Sequence, residues 1–315
     1  MSSNIGEIAE ELRAPTPPTA GPEGGQVQGP RAGWKLAISS FVENKLAVVG
    51  TGIIGFFILF CFVGPLFYHT NQSDTNPINA FLSPGHSYLL GTDSNGFDEL
   101  GRMMKGGQAA LEIGFFSSLI ATVIGTLVGA VAGLLGGIVD SALMRFVDIL
   151  LSLPLLFVIL IVGDRYNGAT VLNLSLIIGA FSWLVSARLV RGEVLSLRVR
   201  DFVQASRTMG ASRTHLIYKH LIPNALGVVI VNITFQVADA INLLAILGFL
   251  GFGLNYPQVS WGDMLSNALN YLSDGYWWVV YPVGVCLVAV VMAFNFIGDA
   301  MRDYLDPRSR IEAGL

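Results

Sequence analysis

Apolar residues in this chain come in long unbroken runs instead of recurring on one face of an element. From Leu46 onward six runs stand out, at 46–68, 113–135, 142–162, 171–190, 226–250 and 277–297. Each is near the ~20 residues that carry a helix across ~30 Å of hydrocarbon. Helices are the expected form, because lipid offers no partner to a backbone N–H or C=O and a helix satisfies both within one segment. The pattern predicts an all-α integral membrane protein with six transmembrane helices. Pro154 and Pro282 fall inside runs and predict a kink or local opening, although Pro is also common in membrane helices without a special role.

The polar segments divide the rest. Residues 1–40 hold Ala14-Pro15-Thr16-Pro17-Pro18 and Gly24-Gly25-Gln26 with no apolar period, the composition of a disordered tail. No apolar stretch follows the initiator Met, so no signal peptide is expected. Next come the first helix with a long outer segment at 41–112, a transmembrane domain at 113–305 with a long inner loop at 191–224, and a short tail at 306–315. Arg145, Arg188, Arg191, Arg198, Arg200, Arg207, Arg213, Lys219 and Arg302 fall on the same side as the N-terminal cations, and only Arg102, Lys105 and Arg165 fall on the other. The positive-inside rule then places both termini and the inner loop in the cytoplasm. Trp34 at one boundary and Tyr276, Trp277 and Trp278 at the opposite one are suited to anchor the interface.

Composition agrees with lipid as the main solvent. Of 315 residues 53% are hydrophobic and 13% charged, against about 25% charged in soluble domains, and the mean hydropathy is +0.61. A net charge of −4 gives no reason to expect nucleic acid as a partner. Cys61 and Cys286 both lie in apolar runs, which suggests neither a disulfide framework nor a cysteine metal site. No G-x-x-x-x-G-K-[ST], H-E-x-x-H or G-x-S-x-G occurs, so the chain is not expected to hydrolyse ATP or to be an enzyme. His215 and His220 are the only clustered histidines; on an α-helix their i, i+5 spacing separates them, and Lys219 between them disfavours a cation.

The inner loop is the most informative stretch. From Asp201 to Ala225 its helical spacings, interrupted at Gly210, predict a short helix, a glycine break and a second short helix. Left to the residues alone, this could be an amphipathic membrane-surface loop or a docking element. Gln204-Ala205-Ser206, then Gly210 and His220-Leu221-Ile222-Pro223, resemble the EAA motif of ABC importer permeases: E-A-A, three residues, Gly, nine residues, I-x-L-P. Gln204 stands where the motif has Glu, Ser206 where it has Ala, His220 where it has Ile and Ile222 where it has Leu. Three further stretches resemble the C-type permeases of dipeptide, oligopeptide and nickel importers. They are Leu90-Gly91-Thr92-Asp93 with Asp98-Glu99-Leu100-Gly101-Arg102 after it, which carries extra residues between Asp93 and Gly101; Gly251-Phe252-Gly253-Leu254 through Trp261-Gly262-Asp263-Met264; and Ala293-Phe294-Asn295-Phe296-Ile297-Gly298-Asp299 through Asp306-Pro307-Arg308.

This resemblance implies a type I ABC importer transmembrane domain at 113–305 and a permease of the bacterial inner membrane. Its implied partners are a second homologous permease, two ATP-binding cassette subunits that hold ATP and Mg, and an extracytoplasmic substrate-binding protein, with membrane lipid around them. No cofactor or metal is implied for this chain. The coupling residues it implies are Gln204, Ala205, Ser206, Arg207, Gly210, Ala211, His220 and Pro223, with Gly210 allowing close backbone approach. The implied cargo is a dipeptide or oligopeptide, with a nickel chelate or another small solute as the alternative. An ATP-independent channel or carrier is the reading from another class.

Two polar sets inside the runs remain. Asn232, Gln236 and Asp239 follow one face of the fifth run. They could line a path or bond neighbouring helices, and Asp239 is expected to avoid lipid, since Asp at a span's centre costs about 2.5–3.5 kcal/mol. Arg145 and Asp148, at i and i+3, suggest a local ion pair, as do Asp299, Arg302 and Asp303 at the end of the last run.

Overall fold

The computed structural model describes residues 43–69, 74–165 and 170–305; the tails expected at 1–40 and 306–315 lie outside these. Regular structure among the described residues is helical, apart from one isolated bridge between Thr92 and Asp98. Helix α1 (Lys45–Phe67) starts at Asn44, whose Oδ1 accepts the N–H groups of Leu46 and Ala47 at 3.0 and 3.3 Å. Helix α2 (Glu99–Leu135) is capped by Asp98, which accepts from Gly101 N–H at 3.0 Å. It begins well before the expected Ile113, so the polar segment expected to run to 112 ends at Asp98. At 37 residues and ~1.5 Å per residue, α2 is ~55 Å long and overshoots the hydrocarbon.

Helices α3 (Gly137–Ser152) and α4 (Leu155–Arg165) flank Pro154 and meet at a 79° bend. The kink expected at Pro154 is therefore present, and it breaks the third run in two. Among the described residues five helices are long and apolar enough to cross a membrane, or six with the bent pair counted as one span. Helix α5 (Val171–Leu197) continues past its apolar run. The short α6 (Asp201–Thr208) leads into α7 (Arg213–Phe249), α8 (Trp261–Leu269) and α9 (Tyr281–Leu305). The second short helix expected after Gly210 is instead the first part of α7. Pro282 is the second residue of α9 and produces no kink, because a first-turn N–H has no intrahelical acceptor to lose. Both α1 and α7 widen into π turns, Leu59–Val63 and Leu216–Leu221, just ahead of Pro65 and Pro223, where the ladder must skip a missing donor.

Helices α2 and α7 are the most enclosed, while α1 and α9 are largely exposed. The main core gathers Ile113, Leu174, Ile178, Ile241, Leu244, Val290 and Trp261 from α2, α5, α7, α9 and α8. Trp261 is fully buried; its Nε1–H donates to the Met103 carbonyl at 3.0 Å, and its ring meets Phe57 edge-on. The extra residues after Asp93 form a turn in which Asp93 Oδ1 accepts the N–H groups of Asn95 and Phe97. That turn is tied to the end of the chain's last loop by Trp278 Nε1–H, which donates to the Thr92 carbonyl at 3.2 Å.

The tightest seam joins α2 to α5. Gly125, Gly129 and Gly133 recur every fourth residue along α2 and lie against Trp183, Ala187, Arg191 and Val194 of α5. A Cβ at Gly129 would stand 2.5 Å from the Ala187 carbonyl oxygen, and one at Gly133 would stand 2.8 Å from Val194 Cγ1. Such small-residue seams suit membranes, where backbone approach and dispersion replace the hydrophobic drive. Substituting Gly129→Val is expected to destabilise the fold by about 1–3 kcal/mol through overpacking, read as a lowered thermal midpoint in detergent. Gly52→Ala, with nothing within 4 Å of its added carbon, should not lower that midpoint, since Ala is the better helix former.

Candidate functional site

Two groups of residues carry the candidate chemistry: the segment between α5 and α7, and the polar face of α7. In the first, Asp201 in the first turn of α6 and Arg207 in the last both oppose the helix dipole. Val203 is 2% exposed. It packs with Leu216, Ile217 and Leu221 of α7, Val190, Val194 and Leu197 of α5, and Ala130 of α2. One face of α6 thus joins, through the π turn of α7, a buried cluster to which α2, α5 and α7 all contribute. On the other face Gln204, Ala205 and Arg207 are exposed, alongside Phe202 and Met209. Gln204 Nε2 donates to the Arg198 carbonyl at 3.0 Å, which ties α6 to its connection from α5.

Gly210 ends α6 with φ +85. Its N–H donates to the Arg207 carbonyl at 3.0 Å and that of Ala211 to the Ser206 carbonyl at 3.1 Å, the paired bonds of a Schellman cap. Within this chain no backbone lies close to Gly210, and the residue supplies the left-handed turn that ends α6. Ala211 is half-buried and Pro223 exposed at the start of the α-helical part of α7.

His215 and His220 meet, contrary to the expectation of separate faces: their ring centroids are 5.7 Å apart. The cause is the π turn over Leu216–Leu221, whose i→i+5 bonding brings residues five apart onto one side. Nε2 of His220 lies 3.3 Å from the buried Ser206 Oγ, a hydrogen bond that joins α6 to α7. Among the described residues no group of three His, Cys, Asp or Glu could hold a metal ion.

On α7 the polar face is divided. Asn232 and Gln236 are buried against α5, where both side-chain amides donate to Ser186 Oγ at 2.5 Å. Gln236 also donates to the Ser182 carbonyl at 3.1 Å, and Thr122 of α2 donates to Gln236 Oε1 at 3.4 Å. Asp239 is exposed. Ser186 had no signal of its own beside Ser175 and Ser182 in the same apolar run; the G-x-x-x-G-x-x-x-G spacing on α2 could have marked the facing segment of α5.

Asp148 pairs with Arg188 of α5 and not with Arg145 as expected, which ties α3 to α5. Asp140 and Arg191 make a bidentate pair between the same helices, and Arg198 Nη1 donates to the Gly133 carbonyl at 3.0 Å. This last bond satisfies one of the open carbonyls at the end of α2.

With this geometry known, relatives are informative. The family described as binding-protein-dependent transport system inner membrane component matches residues 125–311. The chain belongs to this family. The N-terminal transmembrane domain of oligopeptide transport permease C matches residues 33–84. The chain is 39% identical to the oligopeptide transport system permease protein OppC of Escherichia coli over 287 residues, 90% of this chain and 94% of that one. It is 35% identical to the dipeptide transport system permease protein DppC of Alkalihalophilus pseudofirmus over 305 residues, 96% and 99% of the two chains. A putative peptide permease of Brucella suis is 37% identical over 275 residues, 86% of this chain and 90% of that one. As a permease of this family, the chain is a multi-pass inner-membrane protein.

Ser186→Ala removes an acceptor shared by two amides of the permease. The expected loss is on the order of 1–3 kcal/mol, measured as a lower thermal midpoint. The exposed Ser196→Ala on the same helix should match the unmodified protein.

Proposed function

We propose that this permease forms half of the translocation path of an ATP-driven peptide importer and that α6 is its coupling helix. The arrangement of α6 carries the reading: an eight-residue helix, capped at Gly210, with one face in a buried cluster to which α2, α5 and α7 contribute and the other face exposed. A load applied to the free face would reach three membrane helices together. In this reading Gln204, Ala205, Arg207 and Gly210 meet or shape the contact with a cassette subunit, while Ser206, Ala211, His220 and Pro223 fasten α6 to α7.

The complete importer would hold a second related permease, two ATP-binding cassette subunits that bind Mg–ATP, and an extracytoplasmic binding protein. ATP hydrolysis would occur on the cassettes. Both termini of this chain would lie in the cytoplasm, with Lys and Arg concentrated there. Peptide as cargo is supported by the names of the relatives, which are dipeptide and oligopeptide permeases. Asp239, exposed on an otherwise apolar helix, would face the wet path between the two permeases, because lipid contact is costly for a carboxylate. Asn232 and Gln236 would keep α5 and α7 moving together beside it.

Gly210→Val tests the coupling assignment. A left-handed backbone costs an ordinary L-residue ~1–2 kcal/mol, and the end of α6 should reshape to avoid it. In the assembled complex, ATP-dependent uptake of labelled oligopeptide is expected to fall about tenfold or more, the equivalent of ~1.4 kcal/mol. Gly210→Asn, which tolerates that backbone, should retain most of it. Full uptake by Gly210→Val with both cassettes bound would refute the assignment.

A further inference from the structure

At the end of the bundle away from α6, a cavity of about 320 Å³ opens between the first turns of α2, the start of α5 and the 256–259 loop. That volume is at the small end of ligand pockets, about 300–1,000 Å³. Its α2 wall presents Arg102, Lys105, Gln108 and Glu112. Arg102 is already engaged: it pairs with Asp93 at 3.3 Å, and its guanidinium lies 4.6 Å from the centre of the Phe97 ring.

The other three form a ladder at i, i+3 and i+7, one face of the helix. Lys105 is exposed, and Gln108 and Glu112 are half-buried. Lys105 and Glu112 stand two turns apart, ~10 Å along the axis, too far along the helix for the usual i, i+4 ion pair. No described residue forms an ion pair with either. A cation and an anion that pair with no other described residue therefore face one cavity, with a side-chain amide between them that both donates and accepts.

A ligand that matches this wall carries a carboxylate and an ammonium a few residues apart, with amides in the middle. We propose that the cavity receives short peptides by their free termini: Lys105 takes the C-terminal carboxylate, Glu112 takes the N-terminal ammonium, and Gln108 bonds the intervening peptide group. An extended chain covers at most ~3.6 Å per residue, so peptides of two to four residues span the ladder. Desolvation inside the cavity strengthens both charge-assisted bonds. This selects for free peptides over blocked ones at the permease, after the binding protein has released its cargo. The proposal rests on the peptide reading above.

The test uses the whole importer in proteoliposomes, with cassettes and binding protein, and compares tri-alanine, N-acetyl-tri-alanine and tri-alanine amide. Because the binding protein is constant, the informative quantity is how each permease variant changes the ratios. Glu112→Gln should lower tri-alanine uptake about tenfold, as expected for a lost hydrogen bond to a charged group, and leave N-acetyl-tri-alanine unchanged, collapsing that preference. Lys105→Met should do the same for the preference over the amide. Ratios equal to the unmodified importer, or uptake lowered equally for all three peptides, overturn the site. If the unmodified importer accumulates none of the three, the peptide reading itself fails, and with it this proposal.

Discussion

The seam between α2 and α5 governs much of this structure. Three glycines placed every fourth residue let the two backbones approach until no side chain fits between them. In water such a contact would bury little apolar area, but in lipid it replaces looser lipid packing with dense protein packing. Polar groups then find partners across the joined helices. Arg198 reaches the Gly133 carbonyl, Thr122 reaches Gln236, and Ser186 receives two amides from α7. Of these, Arg198 crosses the glycine seam itself, and the other bonds bring α7 in against the joined pair.

A consequence is mechanical. Helices α2, α5 and α7 are joined by backbone packing at one place and by buried hydrogen bonds at another, so they resist sliding past each other. Val203 of α6 joins a buried cluster to which the same three helices contribute. In the coupling proposed for α6, such stiffness is what would let a load on its exposed face reach the membrane helices. The bend at Pro154 and the exposed α1 and α9 lie outside this stiff unit.

The sequence was most legible where one physical rule acted alone. Apolar run length located the membrane helices, and Pro154 located the sharp bend. Boundaries were missed where helices outrun the hydrocarbon: α2 begins with Glu99, Arg102 and Lys105, and α7 with Arg213, His215 and Lys219, so hydropathy does not register their first turns. Gly210 was located correctly, but its work is conformational, since the need for a left-handed cap and the need for close packing look alike in a sequence. His215 and His220 were misplaced because a π turn changes the periodicity on which the reading depended. The stripe Asn232, Gln236 and Asp239 lay on one helix face as expected, yet whether a polar group meets a neighbour or a path depends on the facing helix. Ser186 decided that for two of the three.

The central claim is that α6 and the helices beneath it move as one body. Spin labels at Thr208 on α6 and at Phe249, the far end of α7, report this directly in the assembled importer, with a second pair linking Thr208 to the partner permease. The account predicts that the distance distribution within this chain stays the same with and without ATP, while the distribution to the partner shifts. A nucleotide-dependent change in the Thr208 to Phe249 distance would contradict it, because α6 would then be moving against its own helices.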